Sequence, residues 1–126
     1  MAGAVAVSEM ETQERRFLLA DLRSAIERLA QPSPGQVEWV SRQDVHPEDL
    51  VRGSIELVRA AFENLGSEFS PVLIGRLLAL VDQLNAMLGE PEAMLETPGE
   101  VLRHSSWTLA RHMAEAALRA PGWPSE

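Results

Sequence analysis

Apolar residues recur at helical spacing in four segments of the chain. The first segment follows Ser8, which stands three residues before Glu11 in the arrangement of a capping box. Its apolar stripe continues to Pro32, where a helix must stop. The pattern therefore predicts a helix over residues 9–30, preceded by a loose tail at residues 1–7.

One aromatic residue of this first helix lies outside the apolar stripe. Phe17 falls beside Asp21 and Arg28 on the polar side of the helical wheel. Two interpretations follow, a second contact with the core or a contact with a partner protein, and we favour the core contact.

Residues 37–45 form the least regular part of the pattern. Val37 and Trp39 alternate with polar residues, but the run is too short to require a strand. We expect a loop or a single turn here, with Trp39 filling one end of the core.

Two further helices are predicted over 47–65 and 71–88. Each begins with a proline, which suits the first helical position, and each is followed by a glycine, which suits a helix end. In the first of them, Arg59 is spaced to form ion pairs with Glu56 and with Glu63.

The helix over 71–88 is apolar around more than half of its circumference. Such a helix is typically central in its bundle or shared with another subunit. Small side chains follow one line along it and would let another helix approach closely; they are Gly75, Ala79, Asp82 and Ala86. Its apolar core is interrupted by Arg76 and is too short to predict a membrane span.

A fourth helix is predicted over 98–119, because Thr97, Pro98 and Glu100 form another capping signature. Trp107 lies at the edge of its apolar sector, where we expect half-burial. The expected inner face consists of Leu102, Leu109, Met113, Ala116, Ala117 and Ala120. Residues 121–126 are expected to be a loose tail.

Four amphipathic helices joined by short linkers predict an all-α fold. The expected architecture is an antiparallel four-helix bundle, or a closely related compact helical domain, formed by residues 1–126 as one domain. The length of 126 residues is sufficient for a core without disulfides or metals.

The amino-acid composition excludes several kinds of catalytic and binding chemistry. The chain has a formal net charge of −8 and contains no cysteine, and all of its eleven basic residues are arginine. The absence of cysteine and lysine excludes thiol chemistry, a disulfide scaffold and a lysine Schiff base. The acidity also disfavours nucleic-acid binding, which depends on neutralising phosphates.

No catalytic or cofactor-binding constellation is recognisable. His112 and Glu115 are three residues apart, but the Glu-x-x-His pairs of bundle metal sites are missing. We therefore expect no metal and no cofactor. Whether the protein is an enzyme stays open, with a non-enzyme favoured. A catalytic pocket would be sought near His104 and Trp107.

Half of the excess negative charge lies in residues 90–100, which contain four glutamates and no base. This acidic connector is either a solvated loop or a patch that steers a basic partner protein. Trp123 in the C-terminal tail either packs on its own bundle or anchors an interface. The candidate partner-binding residues are Glu90, Glu92, Glu96, Glu100 and Trp123.

These observations favour a non-enzymatic protein-binding module. Such a module could be an acidic inhibitor, an immunity-type protein or an adaptor, and its expected partner is a basic protein. One alternative is a homodimer assembled through the helix over 71–88, and another is a helical bundle that binds a small ligand or is catalytic. We expect no nucleic-acid partner, no membrane and a cytoplasmic location.

Overall fold

The computed structural model describes residues 2–43, 46–89 and 105–124, and this part of the chain is all-helical. Within these ranges five helices pack together. In chain order they are α1 (Ala2–Ala30), α2 (Ser33–Gln43), α3 (Pro47–Leu65), α4 (Pro71–Leu88) and α5 (Ser105–Arg119). A short 3₁₀ turn, Gly66–Glu68, lies between α3 and α4.

The predicted helices over 47–65 and 71–88 are confirmed at both ends. The start of α4 is fixed by Ser70, whose Oγ accepts a hydrogen bond of 3.2 Å from the Leu73 amide. Helix α1 begins at Ala2, so the prediction of a loose tail over residues 1–7 is wrong. Alanine is the strongest helix former, and the alanine-rich start continues the helix toward the N-terminus.

Helix α2 occupies the segment for which a loop or single turn was predicted, so that prediction and the count of four helices are wrong. Val40 on this helix is buried and Trp39 is half-buried against the core. Pro34 lies in the first turn, where its missing N–H removes no intrahelical hydrogen bond.

Helix α5 is described from Ser105 onward and ends at Arg119, as predicted. The predicted start at residue 98 lies outside the described residues. Trp107 is fully buried and is not the half-buried edge residue that was expected. The small residues Ala110, Ala114 and Ala117 share its buried face, so neighbouring helices can approach α5 closely.

Four helix pairs enclose one core, namely α1 with α3, α1 with α5, α3 with α4, and α4 with α5. Two predicted core residues lie outside it. Phe17 is 68% exposed and Leu109 is 45% exposed. Leu109 precedes the buried Ala110 by one residue, and a step of one residue turns a side chain away from the face that its neighbour occupies.

The C-terminal segment is attached to the bundle, so the prediction of a loose tail is wrong for residues 121–124. Ser70 Oγ donates a hydrogen bond of 2.7 Å to the Pro121 carbonyl oxygen. The Ser70 amide donates to the Gly122 carbonyl oxygen at 3.4 Å. These contacts place the end of the chain against the beginning of α4.

Candidate binding surface on α3 and α4

The acidic residues that were expected to bind a partner, Glu90, Glu92, Glu96 and Glu100, lie outside the described residues. Trp123, the fifth candidate, is half-buried on its own chain. Its Nε1 donates a hydrogen bond of 3.0 Å to the Ala117 carbonyl oxygen. Its ring centroid lies 6.3 Å from that of Phe69, and the Arg23 guanidinium carbon lies 5.2 Å from the Trp123 centroid. This packing favours the interpretation of Trp123 as a contact within its own bundle rather than as an interface anchor.

Among the described residues, no group of three or more His, Asp or Glu side chains could hold a metal ion. His112 is exposed on α5. His104 lies outside the described part of the chain.

A largely apolar groove of about 210 Å³ opens between α3 and α4. We call it the α3–α4 groove. It is lined by Ile55, Val58, Arg59, Phe62, Glu63, Leu78 and Val81. The apolar members recur three or four residues apart on each helix, which puts them on the sides of α3 and α4 that face each other.

Helix α4 leaves a wide apolar surface uncovered. It is buried along one narrow stripe, formed by Leu73, Leu77, Leu80, Leu84 and Met87. On its other sides Val72 is 51% exposed and Leu78 is 48% exposed. Gly75 and Ala79 are exposed as well, and nothing lies within 4 Å of where a Gly75 Cβ would be. The small-residue line seen in the sequence thus faces outward.

The length and composition of α4 would also allow it to cross a membrane. It alone meets that criterion among the described residues, and the core helix of a soluble protein meets it equally well.

Two charged residues at the groove, Arg59 and Glu63, do not pair with each other. Three other Arg–Glu pairs at the same four-residue spacing do form ion pairs, namely Arg23 with Glu27, Arg42 with Glu38, and Arg52 with Glu48. Within the described ranges Arg59 has no ion pair with Glu63 or with Glu56, so the expected pairing is wrong. Both charges at the groove therefore remain available to another molecule.

Two other hollows lie on the described surface, and each is lined in part by an arginine. A polar cleft of about 570 Å³ separates α1 from the end of α3. Two of its lining residues form an ion pair, in which Arg15 Nε donates to Glu68 Oε2 at 3.0 Å and Arg15 Nη2 donates to Glu68 Oε1. A second hollow, of about 170 Å³, lies beside Trp39, whose ring centroid is 4.7 Å from the Arg28 guanidinium carbon.

The α3–α4 groove was not predictable from the sequence. The excess of apolar residues on α4 was visible, but the sequence did not show which of them α3 and α5 would cover. No protein-family model, no curated protein and no solved structure matches this chain.

Proposed function

We propose that this protein is a non-enzymatic module that binds protein, and that the α3–α4 groove is its binding site. The observation that carries the proposal is Leu78, a leucine that is 48% exposed beside an apolar groove. Removing apolar surface from water contributes about 25 cal/mol per Å². An apolar patch bordered by polar residues is typical of an interaction site.

The shape of the groove supports a helical ligand over a small molecule. Small-molecule sites usually enclose at least about 300 Å³, whereas the α3–α4 groove measures about 210 Å³. A groove between two helices accepts the apolar side of another helix, which inserts side chains three and four residues apart.

The net charge supports a second candidate function. In it, this chain is an acidic inhibitor, immunity-type protein or adaptor that binds a basic protein. Each ion pair within the described residues joins one arginine to one glutamate. These pairs are neutral, so the whole charge of −8 belongs to the remaining side chains. A charge of this size attracts a basic protein over a distance that salt shortens.

For the fold, we retain the antiparallel four-helix bundle as a proposal, with α2 added to it. The four pairwise contacts of α1, α3, α4 and α5 support this arrangement because each helix has two neighbours among the other three.

Site-specific photo-cross-linking tests the binding site. A benzophenone amino acid at position 78 should cross-link the chain to another polypeptide in cells that express it. The same group at Glu27, an exposed position on α1, is the matched control. A product above 13.9 kDa from position 78 only, and its loss in an Ile55→Asp variant that keeps its helical circular dichroism, would support the proposal. Equal cross-linking at both positions, or none at position 78, would contradict it.

The basic partner has its own test. The cross-linked polypeptide should be basic, and its non-covalent complex should weaken as salt is raised from about 0.05 to 0.5 M. Neutralising Glu90, Glu92, Glu96 and Glu100 should slow its association. A partner that binds equally fast to this variant and at both salt concentrations would exclude steering by the acidic connector.

A further inference from the structure

We infer that the occupant of the α3–α4 groove is a second copy of the chain, in a two-fold dimer in which Arg59 pairs with Glu63 of the partner subunit. This inference rests on the proposed function, namely that the groove binds a polypeptide. The observation that supports it is that two charged side chains at the groove, Arg59 and Glu63, form no ion pair within the described residues.

The positions of these charges fit two-fold symmetry. In a two-fold interface, if residue i contacts residue j, then residue j contacts residue i of the other copy. Arg59 and Glu63 lie one helical turn apart on α3. A two-fold axis that crosses α3 between them makes the two copies of α3 antiparallel. Arg59 of each copy then faces Glu63 of the partner subunit, so the interface contains two ion pairs and each of the four charges is paired once.

The uncovered side of α4 extends the contact beyond the groove. Specific interfaces usually bury about 1,200–2,000 Å² in total, which a groove between two helices does not supply alone. Leu78 borders the groove, and Val72, Gly75 and Ala79 continue the exposed surface of α4. Small side chains at the last two positions let a partner helix approach the α4 backbone closely.

Charge at the same surface argues against other occupants. One arginine and one glutamate leave the lining of the groove neutral, so it does not select a basic protein. The exposed Asp82 on α4 adds one negative charge beside the neutral lining, which disfavours an anionic lipid surface. A second copy matches both signs at once.

Sedimentation velocity with charge-reversed variants tests the dimer. The unmodified chain should sediment with twice its mass of 13.9 kDa. Arg59→Glu and Glu63→Arg each place like charges opposite each other, so each dimer should dissociate at least tenfold more readily. An equimolar mixture of the two variants should form a heterodimer, because one copy then carries only acids and the other only arginines at these positions. The double variant should regain the dimer by itself.

Matched controls separate these effects from changes in net charge. Arg16→Glu and Asp21→Arg reverse exposed charges on α1, away from the groove, and should leave the dimer unchanged. Leu78→Asp should give a monomer. Circular dichroism identifies any variant that has lost its helices, and the mixture of variants then provides the decisive measurement.

Several outcomes would overturn the dimer. They are a mass of 13.9 kDa at every concentration, a dimer that resists both charge reversals, and a mixture that stays monomeric. A monomer whose position 78 cross-links to residues 90–104 of its own chain would show an intramolecular occupant. Binding to phosphatidylcholine–phosphatidylglycerol vesicles that Leu78→Asp abolishes would show a lipid surface instead.

Failure of the dimer and failure of the proposed function give different results. A monomer that cross-links from position 78 to a different protein overturns the dimer and supports the proposed function. A monomer that cross-links to no other polypeptide overturns both.

Discussion

The Gln36 side chain oxygen accepts a hydrogen bond of 2.8 Å from Arg111 Nη2, which joins α2 to α5 across 75 positions of the chain. Gln36 Nε2 donates to the carbonyl oxygens of Arg28 at 3.0 Å and Leu29 at 2.9 Å. Arg111 Nε donates to the Gln31 carbonyl oxygen at 2.7 Å. The last carbonyl groups of a helix have no amide partner within that helix. Gln36 and Arg111 donate hydrogen bonds to the carbonyl oxygens at and just after the end of α1.

Gln36→Leu should therefore destabilise the protein. It removes three hydrogen bonds from a side chain that is 1% exposed, and the loss should be about 1–3 kcal/mol in the free energy of unfolding. Urea denaturation followed by circular dichroism measures it. Gln43→Leu, at the exposed end of α2, is the control and should change stability little. A Gln36→Leu change within about 0.5 kcal/mol, as for a surface substitution, would contradict this account.

Gly122→Ala should loosen the C-terminal segment. Gly122 has φ 93°, a conformation that costs other residues about 1–2 kcal/mol, and an added Cβ would overlap the Ser70 side chain. We expect a lower thermal midpoint and faster amide exchange at Trp123. Gly53→Ala is the matched control, because a Cβ there meets nothing within 4 Å on the exposed side of α3. That control should stabilise the helix by about 0.5–1 kcal/mol. An equal effect of both substitutions would exclude a special role for Gly122.

Ser70→Ala should weaken the same contact from the other side. Ser70 Oγ caps α4 by accepting from the Leu73 amide, and it also donates to the Pro121 carbonyl oxygen. Loss of a helix cap typically costs about 1 kcal/mol, and the contact with Pro121 adds to that. Combining this substitution with Gly122→Ala should lower the free energy of unfolding by less than the sum of the two. Strict additivity would show that the two residues act independently.

Trp107→Ala should be far more damaging than Leu109→Ala, although the two residues are near neighbours on α5. Trp107 is fully buried and Leu109 is 45% exposed. Truncating a buried tryptophan costs about 3–5 kcal/mol, whereas the Leu109 change should cost less than about 1 kcal/mol. Chemical denaturation of both variants decides this. Equal losses would mean that α5 is rotated about its axis relative to the arrangement described above.

The sequence alone determined the helices whose ends carry local signals. A proline at the first turn, a following glycine and a continuous apolar stripe were sufficient for α3 and α4, since these signals act within a few residues. Helix α2 was not predictable in the same way. Gln36 and Val40 are stabilised by contacts with α1, α5 and the core, and those partners are distant in sequence.

Tertiary structure decided which apolar residues remain exposed. Periodicity shows that a helix has an apolar side, but the neighbours set how far the helix is rotated and how much of that side they cover. For this reason Leu109 and Phe17 were misplaced, and the partly uncovered surface of α4 was not foreseen. The α3–α4 groove and its unpaired charges also appear only when two helices lie side by side, because the packing of helices creates both the space and the distances between charges.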